Sequence, residues 1–253
     1  MRWALPPSEA NLVWLDETDS TNALAARLVA AWLEGEHARL GDTLLMTAVQ
    51  RAGRGRGEHR WESPLGGVYV TWLGWVTRQE LSWVPLAAGV SLCESIEGIW
   101  SSPAIGLKWP NDLLIAGRKV GGILCQARGA GEEAWAAVGF GVNVAVTPQL
   151  EGAGGVTPGS LQEVGFGGDA ASFERELAAL FAVRFRSLLP HPEETRQRWL
   201  SRSVVGLGEL VRVRTGSRLL EGRFGGLEMD GRLVVETGQT RTVVSTGEIV
   251  SPL

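Results

Sequence analysis

The stretch Gln50-Arg51-Ala52-Gly53-Arg54-Gly55-Arg56-Gly57 interleaves guanidinium groups with glycines at 53, 55 and 57. It has no apolar face to bury, so it must lie in a loop. Glycines let a backbone approach a ligand closely and take positive φ. Arg54 and Arg56 carry rigid forks that match carboxylate or phosphate oxygens. Such a loop can clamp an anion, although in isolation a solvated turn would look the same. A second polar cluster favours the clamp: Lys108-Trp109-Pro110-Asn111-Asp112, followed by Lys119. If Ala116-Gly117 forms a two-residue hairpin loop, Lys119 stands opposite Leu114 and becomes a diagonal neighbour of Asp112 on one face. An exposed ion pair would satisfy that geometry too. Trp109, Pro110 and Gly121-Gly122 around it point instead to a shaped site.

Two further polar groups stand out. Ser20-Thr21-Asn22 reads first as a helix cap, yet a helix start also offers free N–H groups and hydroxyls to a ligand. Asn143 interrupts the apolar run Gly139-Phe140-Gly141-Val142-Asn143-Val144, so it must bond to backbone or to ligand. The arginine loop is not a dinucleotide fingerprint, because its third glycine would fall at Glu58. There is no Walker A sequence either. Any nucleotide must be held by arginine side chains and backbone N–H groups.

The elements that must position these residues follow from pattern. Leu24, Leu28, Ala31 and Trp32 make a helical stripe beginning near Asn22. Thr43 to Val49 reads as a buried strand that delivers the arginine loop, and Val68 to Leu73 as a second strand. Pro85 opens a helix carrying Leu86, Val90, Cys93 and Glu97. Strands follow at Ile105–Trp109, Leu113–Ile115, Lys119–Gln126 and Trp135–Val144. Their short connections predict antiparallel pairing rather than a doubly wound parallel sheet. Residues 152–168 read as a long Gly-rich loop. Phe173, Leu177, Leu180, Phe181, Phe185 and Leu188 mark an amphipathic helix, and a shorter helix runs from Pro192 to near Trp199. After about Val204, alternating segments (Leu210–Arg214, Leu233–Val235, Thr242–Val244) punctuated by Gly216, Gly222, Gly231, Gly238 and Gly247 predict a small β-barrel of about fifty residues.

The 253 residues suffice for a full core, in one large domain or one with a small companion. The formal net charge is −4, with 24 basic and 28 acidic residues, so the arginine loop is a local feature of a mildly acidic chain. A nucleic-acid binder would carry a wider basic face. Cys93 and Cys125 lie in apolar stretches and read as buried free thiols of a cytoplasmic protein. With histidines only at 37, 59 and 191, no zinc-ligand spacing exists. No apolar run spans a membrane, and Met1-Arg2-Trp3-Ala4-Leu5-Pro6-Pro7 lacks a signal-peptide core. Eleven tryptophans accompany a single tyrosine, Tyr69, a bias without a functional reading.

Taken together, the chain resembles biotin protein ligase. The matching words, in family order, are Asp19-Ser20-Thr21-Asn22, Gln50 to Arg56, Trp61-Glu62-Ser63-Pro64, Lys108-Trp109-Pro110-Asn111-Asp112-Leu113, Arg118-Lys119-Val120-Gly121-Gly122-Ile123-Leu124 and Gly139-Phe140-Gly141-Val142-Asn143. They span about residues 15 to 145, and the segment ending Ser245-Thr246-Gly247-Glu248-Ile249 looks like the family's SH3-like domain. Any one motif is weak, but six in order are specific. The resemblance implies an α+β fold: a mixed, mostly antiparallel sheet packed with helices in a class II synthetase-like catalytic domain (1–203), plus an SH3-like β-barrel (204–253). It implies ATP and biotin as substrates, Mg²⁺, a biotinyl-adenylate intermediate, and transfer to a lysine of a biotin carboxyl carrier protein.

Carried over by position, Ser20, Thr21, Asn22, Gln50, Arg54, Gly55, Arg56, Lys119 and Gly122 would bind biotin. Arg54, Arg56, Trp61, Lys108, Asn111, Lys119 and Asn143 would bind the nucleotide. Lys119, Arg54, Arg56, Lys108 and Asp112 would serve the chemistry, with Asp112 either a metal contact or the base for the acceptor lysine; the metal ligands stay unassigned. Departures are Glu58 and His59 where many members continue with Gly-Arg, and Pro252 where some keep a basic residue. The short lead before Ser20 leaves no room for the repressor members' DNA-binding domain, so specific DNA binding is not expected; nor is a membrane partner. Monomer and homodimer remain open. The alternatives are a lipoate–protein ligase of the same fold, and a nucleic-acid-binding module using the Arg/Gly loop.

Overall fold

The computed structural model describes residues 10–34, 41–57, 59–101, 103–129, 131–149 and 156–251. The segment Met1–Pro7, His37, Glu58, the part of the Gly-rich loop before 156, and Pro252 lie outside the described residues.

Seven strands form the main sheet: β1 (Asn11–Thr18), β2 (Thr43–Gln50), β3 (Val68–Thr77), β4 (Ile105–Lys108), β5 (Asp112–Ile115), β6 (Arg118–Arg128) and β7 (Glu133–Val142). Their spatial order is β1-β2-β3-β7-β6-β5-β4. Every pair is antiparallel except β1 with β2. That parallel pair needs a crossover, which helix α1 (Thr21–Glu34) supplies. Sequence reading missed β1. It is an edge strand whose Leu12, Val13 and Trp14 stay largely exposed, so no burial pattern announced it.

Helices cover both faces, which is why β3 and β7 are nearly continuous apolar runs rather than alternating ones. On one face lie α2 (Val84–Ile99), α3 (Ala170–Leu188) and α4 (Pro192–Ser201). Helix α2 is largely apolar and largely buried, its Glu94 and Glu97 paired with Arg198 and Arg202. Helix α3 starts at Asp169, whose carboxylate accepts from Ser172 N at 2.8 Å, and buries Phe173, Leu177, Phe181 and Phe185. On the other face α1 packs Ala25 and Val29 against Leu45, Leu73, Trp135 and Ala137. Three of the tryptophans meet there, Trp32 standing edge-on to Trp75 and Trp135 with centroids 5.4 and 5.3 Å away.

A second sheet holds β8 (Leu210–Thr215), β9 (Arg218–Leu227), β10 (Leu233–Thr237), β11 (Thr240–Val244) and β12 (Glu248–Ser251), ordered β11-β10-β9-β8-β12 and wholly antiparallel. Trp109 Nε1 donates to Gly231 O at 2.9 Å, joining the two sheets beside a cis Trp109–Pro110 bond.

Some expectations need correction. Cys93 is buried, but Cys125 is only half-buried, because β6 outruns its partner β5 there. Trp109 and Asn143 fall just outside their strands. The described part of the Gly-rich loop is not featureless: Pro158 bridges to Lys119, and a 3₁₀ turn spans Gln162–Val164. Among the described residues no helix is long and apolar enough to cross a membrane.

Candidate functional site

The β5–β6 hairpin sets the first half of the site. Ala116 (φ 50°) and Gly117 (φ 74°) make its two-residue turn, a conformation that matches strand twist. Lys119 stands opposite Leu114, as expected; beyond it one extra residue shifts the register, so Asp112 faces Gly122. Lys119 Nζ lies 2.6 Å from Asp112 Oδ1. Lys108 faces Asp112 from β4. Its side chain is 1% exposed, and its ammonium has no hydrogen-bond partner and lies 4.0 Å from Glu248 Oε1 of the second sheet. Burial pulls the Lys108 pKa down, while Asp112 and Glu248 oppose that shift. Arg56 Nη1 donates to Gly247 O at 2.9 Å. Burial lowers its pKa as well, again against Asp112 and Glu248. Three cations thus converge on two carboxylates. Charges this crowded and partly desolvated favour an anion that adds negative charge among them. A cavity of about 220 Å³ opens beside them, lined among others by Arg56, Lys108, Trp109, Leu86 and Ser245.

The arginine loop folds back on itself rather than hanging free. Gly55 N donates to His59 O at 2.8 Å, and Trp61 N to Gly53 O at 3.0 Å. Gly53 must be glycine because a Cβ would collide with Trp61 O. Arg54 is exposed and bridges to Arg60 through the backbone. At the base of the loop, Gln50 Oε1 accepts from Thr21 N (2.9 Å) and Thr21 Oγ1 (3.2 Å), and Gln50 Nε2 donates to Ser63 Oγ (2.8 Å). Ser20 caps α1, with Leu24 N donating to Ser20 O. Thr71 Oγ1 donates to Asn22 Oδ1 at 2.6 Å and lies 2.8 Å from Thr21 Oγ1.

Between these halves runs a floor of glycines. Gly139 and Gly141 are two apart on β7 and so share one face, the face that α1 covers further along at Trp135 and Ala137. Gly122 pairs with Gly141 across β6–β7. The space a Cβ would need is filled at Gly139 by the Asn22 amide and at Gly141 by the Trp61 indole. At Gly122 it would meet Trp61 Cζ3 at 3.1 Å and Lys119 Cε at 3.7 Å. The row therefore reads Thr21–Asn22, then Trp61, then Lys119 and Asp112. Lys119 Nζ sits 5.6 Å from the Trp61 ring centroid.

Three predicted site residues spend their amides on the scaffold. Asn22 Nδ2 donates to Leu124 O at 3.0 Å, Asn111 Nδ2 to Ile123 O at 2.8 Å, and Asn143 Nδ2 to Gly159 O at 2.9 Å. Asn143 therefore found the backbone partner that its burial required. Sequence reading gave no role to Ser63, Thr71, Gly141, Gly247 or Glu248. Ser63, Gly141, Gly247 and Glu248 stood inside quoted motifs; Thr71 carried no signal, being one threonine in a β-rich run.

Several known proteins are similar to this chain as a whole. The profile of the biotin/lipoate A/B protein ligase family matches residues 39–143. The biotin–[acetyl-CoA-carboxylase] ligase of Paracoccus denitrificans is 35% identical over 251 residues, covering 93% of this chain and 98% of its own. The ligase of that name from Mycobacterium tuberculosis is 29% identical over 93% of this chain and 88% of its own. A biotin protein ligase from Aquifex aeolicus, solved in complex with biotin and ATP, superposes with a TM-score of 0.72 at 28% identity, covering 94% of this chain and 97% of that one.

Proposed function

Since this chain belongs to the biotin protein ligase family, we propose that its glycine-floored row is where biotin is activated by ATP and handed to a carrier lysine. The activity is that of a biotin–[acetyl-CoA-carboxylase] ligase. One observation supports placing it here: groups able to bond an uncharged ureido ring (Thr21, Gln50) and groups able to meet a carboxylate (Lys119, Lys108, Arg56) lie at opposite ends of one bare floor.

Biotin's carboxylate attacks the α-phosphate of ATP, forming the mixed anhydride and expelling pyrophosphate. Two anions must be brought into contact, and Lys119, Lys108 and Arg56 offset the charge that builds. Arg54 and Gly55 cover the adenylate, Trp61 packs near adenine, and Asn111 and Asn143 shape that pocket through their backbone ties. The acceptor amine then attacks the biotinyl carbonyl and AMP leaves. Shielding by the loop keeps the anhydride from water. The domain border at 203/204 and a cytoplasmic setting belong to the same proposal.

Magnesium fits as part of the nucleotide rather than as a resident ion. Among the described residues no cluster of three or more His, Cys, Asp or Glu could hold a metal. Mg²⁺ commonly takes one or two carboxylates plus substrate phosphates, and Asp112 is the carboxylate placed to meet it. When bound, the ion would screen phosphate charge.

The test is mass spectrometry of the protein incubated with biotin and MgATP, then with a carrier protein. Bound biotinyl-adenylate and a carrier gaining one biotin are expected. Lipoate accepted in place of biotin would overturn the substrate assignment.

A further inference from the structure

We propose that in the free protein Trp61 occupies the seat of biotin's ring system, and that biotin binds by displacing it. The inference rests on the ligase reading above.

The row along β7 and β6 carries it. The Thr21–Gln50 end and the Lys119–Asp112 end are the two poles a ureido-carboxylic acid would bridge. Between them the sheet presents only Gly141 and Gly122, and the indole lies directly on both. A ligand reaching from one pole to the other must cross that floor. It cannot do so while the indole is there, because Trp61 Nε1 sits where even a Cβ on Gly141 would collide.

The pose also carries a defect. Trp61 Nε1 is buried with no hydrogen-bond partner. Buried donors are almost always paired, and an unpaired one costs stability. The indole is thus held by contact area and by Lys119 against its ring, not by a fitted polar partner. Displacing it returns the N–H to water.

The poles are arranged for exchange as well. Gln50 spends its amide on Thr21 and Ser63, and Lys119 its ammonium on Asp112. Each internal bond can be traded for one to the ligand, so neither pole stands desolvated before binding. Gly53, Gly55 and Gly57 precede the tryptophan in its loop, and Gly57 already has φ 58°. The Trp61 backbone is tied to Gly53 O and Ser63 Oγ, so the ring leaves by turning about its own side-chain bonds while the glycines let the loop make room, without disturbing β2.

The test uses biotin alone, without nucleotide, on the full chain and on Trp61→Ala and Trp61→Phe. Stopped-flow and equilibrium binding are measured. Trp61 is followed by ¹⁹F NMR of 5-fluorotryptophan-labelled protein, its resonance assigned by its loss in Trp61→Phe. In wild type the observed rate should level off with biotin concentration, because the seat must open first. In Trp61→Ala it should rise linearly, with affinity improved about tenfold if the seat is open a tenth of the time. The resonance should move from a shielded to a solvent-exposed position when biotin is added. In turnover, Trp61→Ala should lower KM for biotin and raise it for ATP; a merely structural role would raise both. An unmoved resonance on biotin binding, or weaker biotin binding by Trp61→Ala, overturns the proposal while leaving the ligase reading intact. No biotin binding and no adenylate in wild type would overturn both.

Discussion

Lys119 Nζ sits 2.6 Å from Asp112 Oδ1 although a one-residue bulge at Val120 separates the registers on either side of them. The bulge draws the Lys119 backbone outward to pair with the 157–159 segment: Lys119 N donates to Thr157 O and Gly159 N to Lys119 O. The Lys119 side chain is left 26% exposed at the end of the glycine floor. It holds a carboxylate, yet an incoming anion can still reach it.

Lys119→Ala should cripple adenylate formation without unfolding the chain. Loss of one donor to charge developing in a transition state costs about 2.7–4 kcal/mol, or roughly a hundred- to thousandfold. Pyrophosphate release from biotin and MgATP is the measurement. A rate near wild type would remove Lys119 from the reaction.

Arg56→Ala should loosen the arginine loop, because Arg56 ties it to the carbonyl of Gly247, 191 residues away. Hydrogen exchange across residues 51–57 should be faster in the variant. In wild type, biotin plus MgATP should slow it. Equal protection with and without ligands would rule out closure of the loop over the adenylate.

Glu174 should make stability fall as pH rises from acid to neutral. Its carboxyl is buried beneath the sheet with Oε1 unpartnered. Burial raises its pKa from 4.5 to about 7, only partly opposed by Arg175 and the Tyr69 backbone. The native state thus keeps a proton that the unfolded chain releases near 4.5. The benefit of holding it is complete below that value and is lost as pH climbs to about 7, amounting to about 3 kcal/mol at most. Glu174→Gln should abolish this slope, so its margin over wild type should grow across that window in urea denaturation. Parallel curves for the two proteins would refute the assignment.

Gly139→Ala should destabilise the fold, since the new Cβ would collide with the Asn22 amide. Overpacking of this kind costs about 1–3 kcal/mol. Because Asn22 also holds Leu124 O and accepts from Thr71, the displacement should weaken biotin binding in parallel. Calorimetric unfolding and biotin titration on the same variant check both effects. An unchanged midpoint would show that the amide can turn aside.

Sequence-local relationships were legible in the chain. The α3 stripe at Phe173, Leu177, Phe181 and Phe185, the cap before α1, and the Lys119–Leu114 register each follow from residues a few places apart, where periodicity and turn geometry leave few choices. The polar words around Gln50 and Lys108 were legible as dense local runs, and Asn143 as a single amide in an apolar stretch. Tertiary structure alone decided the rest. The edge strand β1 forms because a parallel neighbour exists across a helix, not because its own pattern demands it. Trp61 lies on Gly122 and Gly141 only once its loop folds over the hairpin of β6 and β7, far along the chain. Gly247 and Glu248 reach Arg56 and Lys108 only once the second sheet docks. Contacts between segments so far apart depend on packing of whole elements, and no spacing along the chain encodes which of the many solvent-compatible partners each side chain will meet.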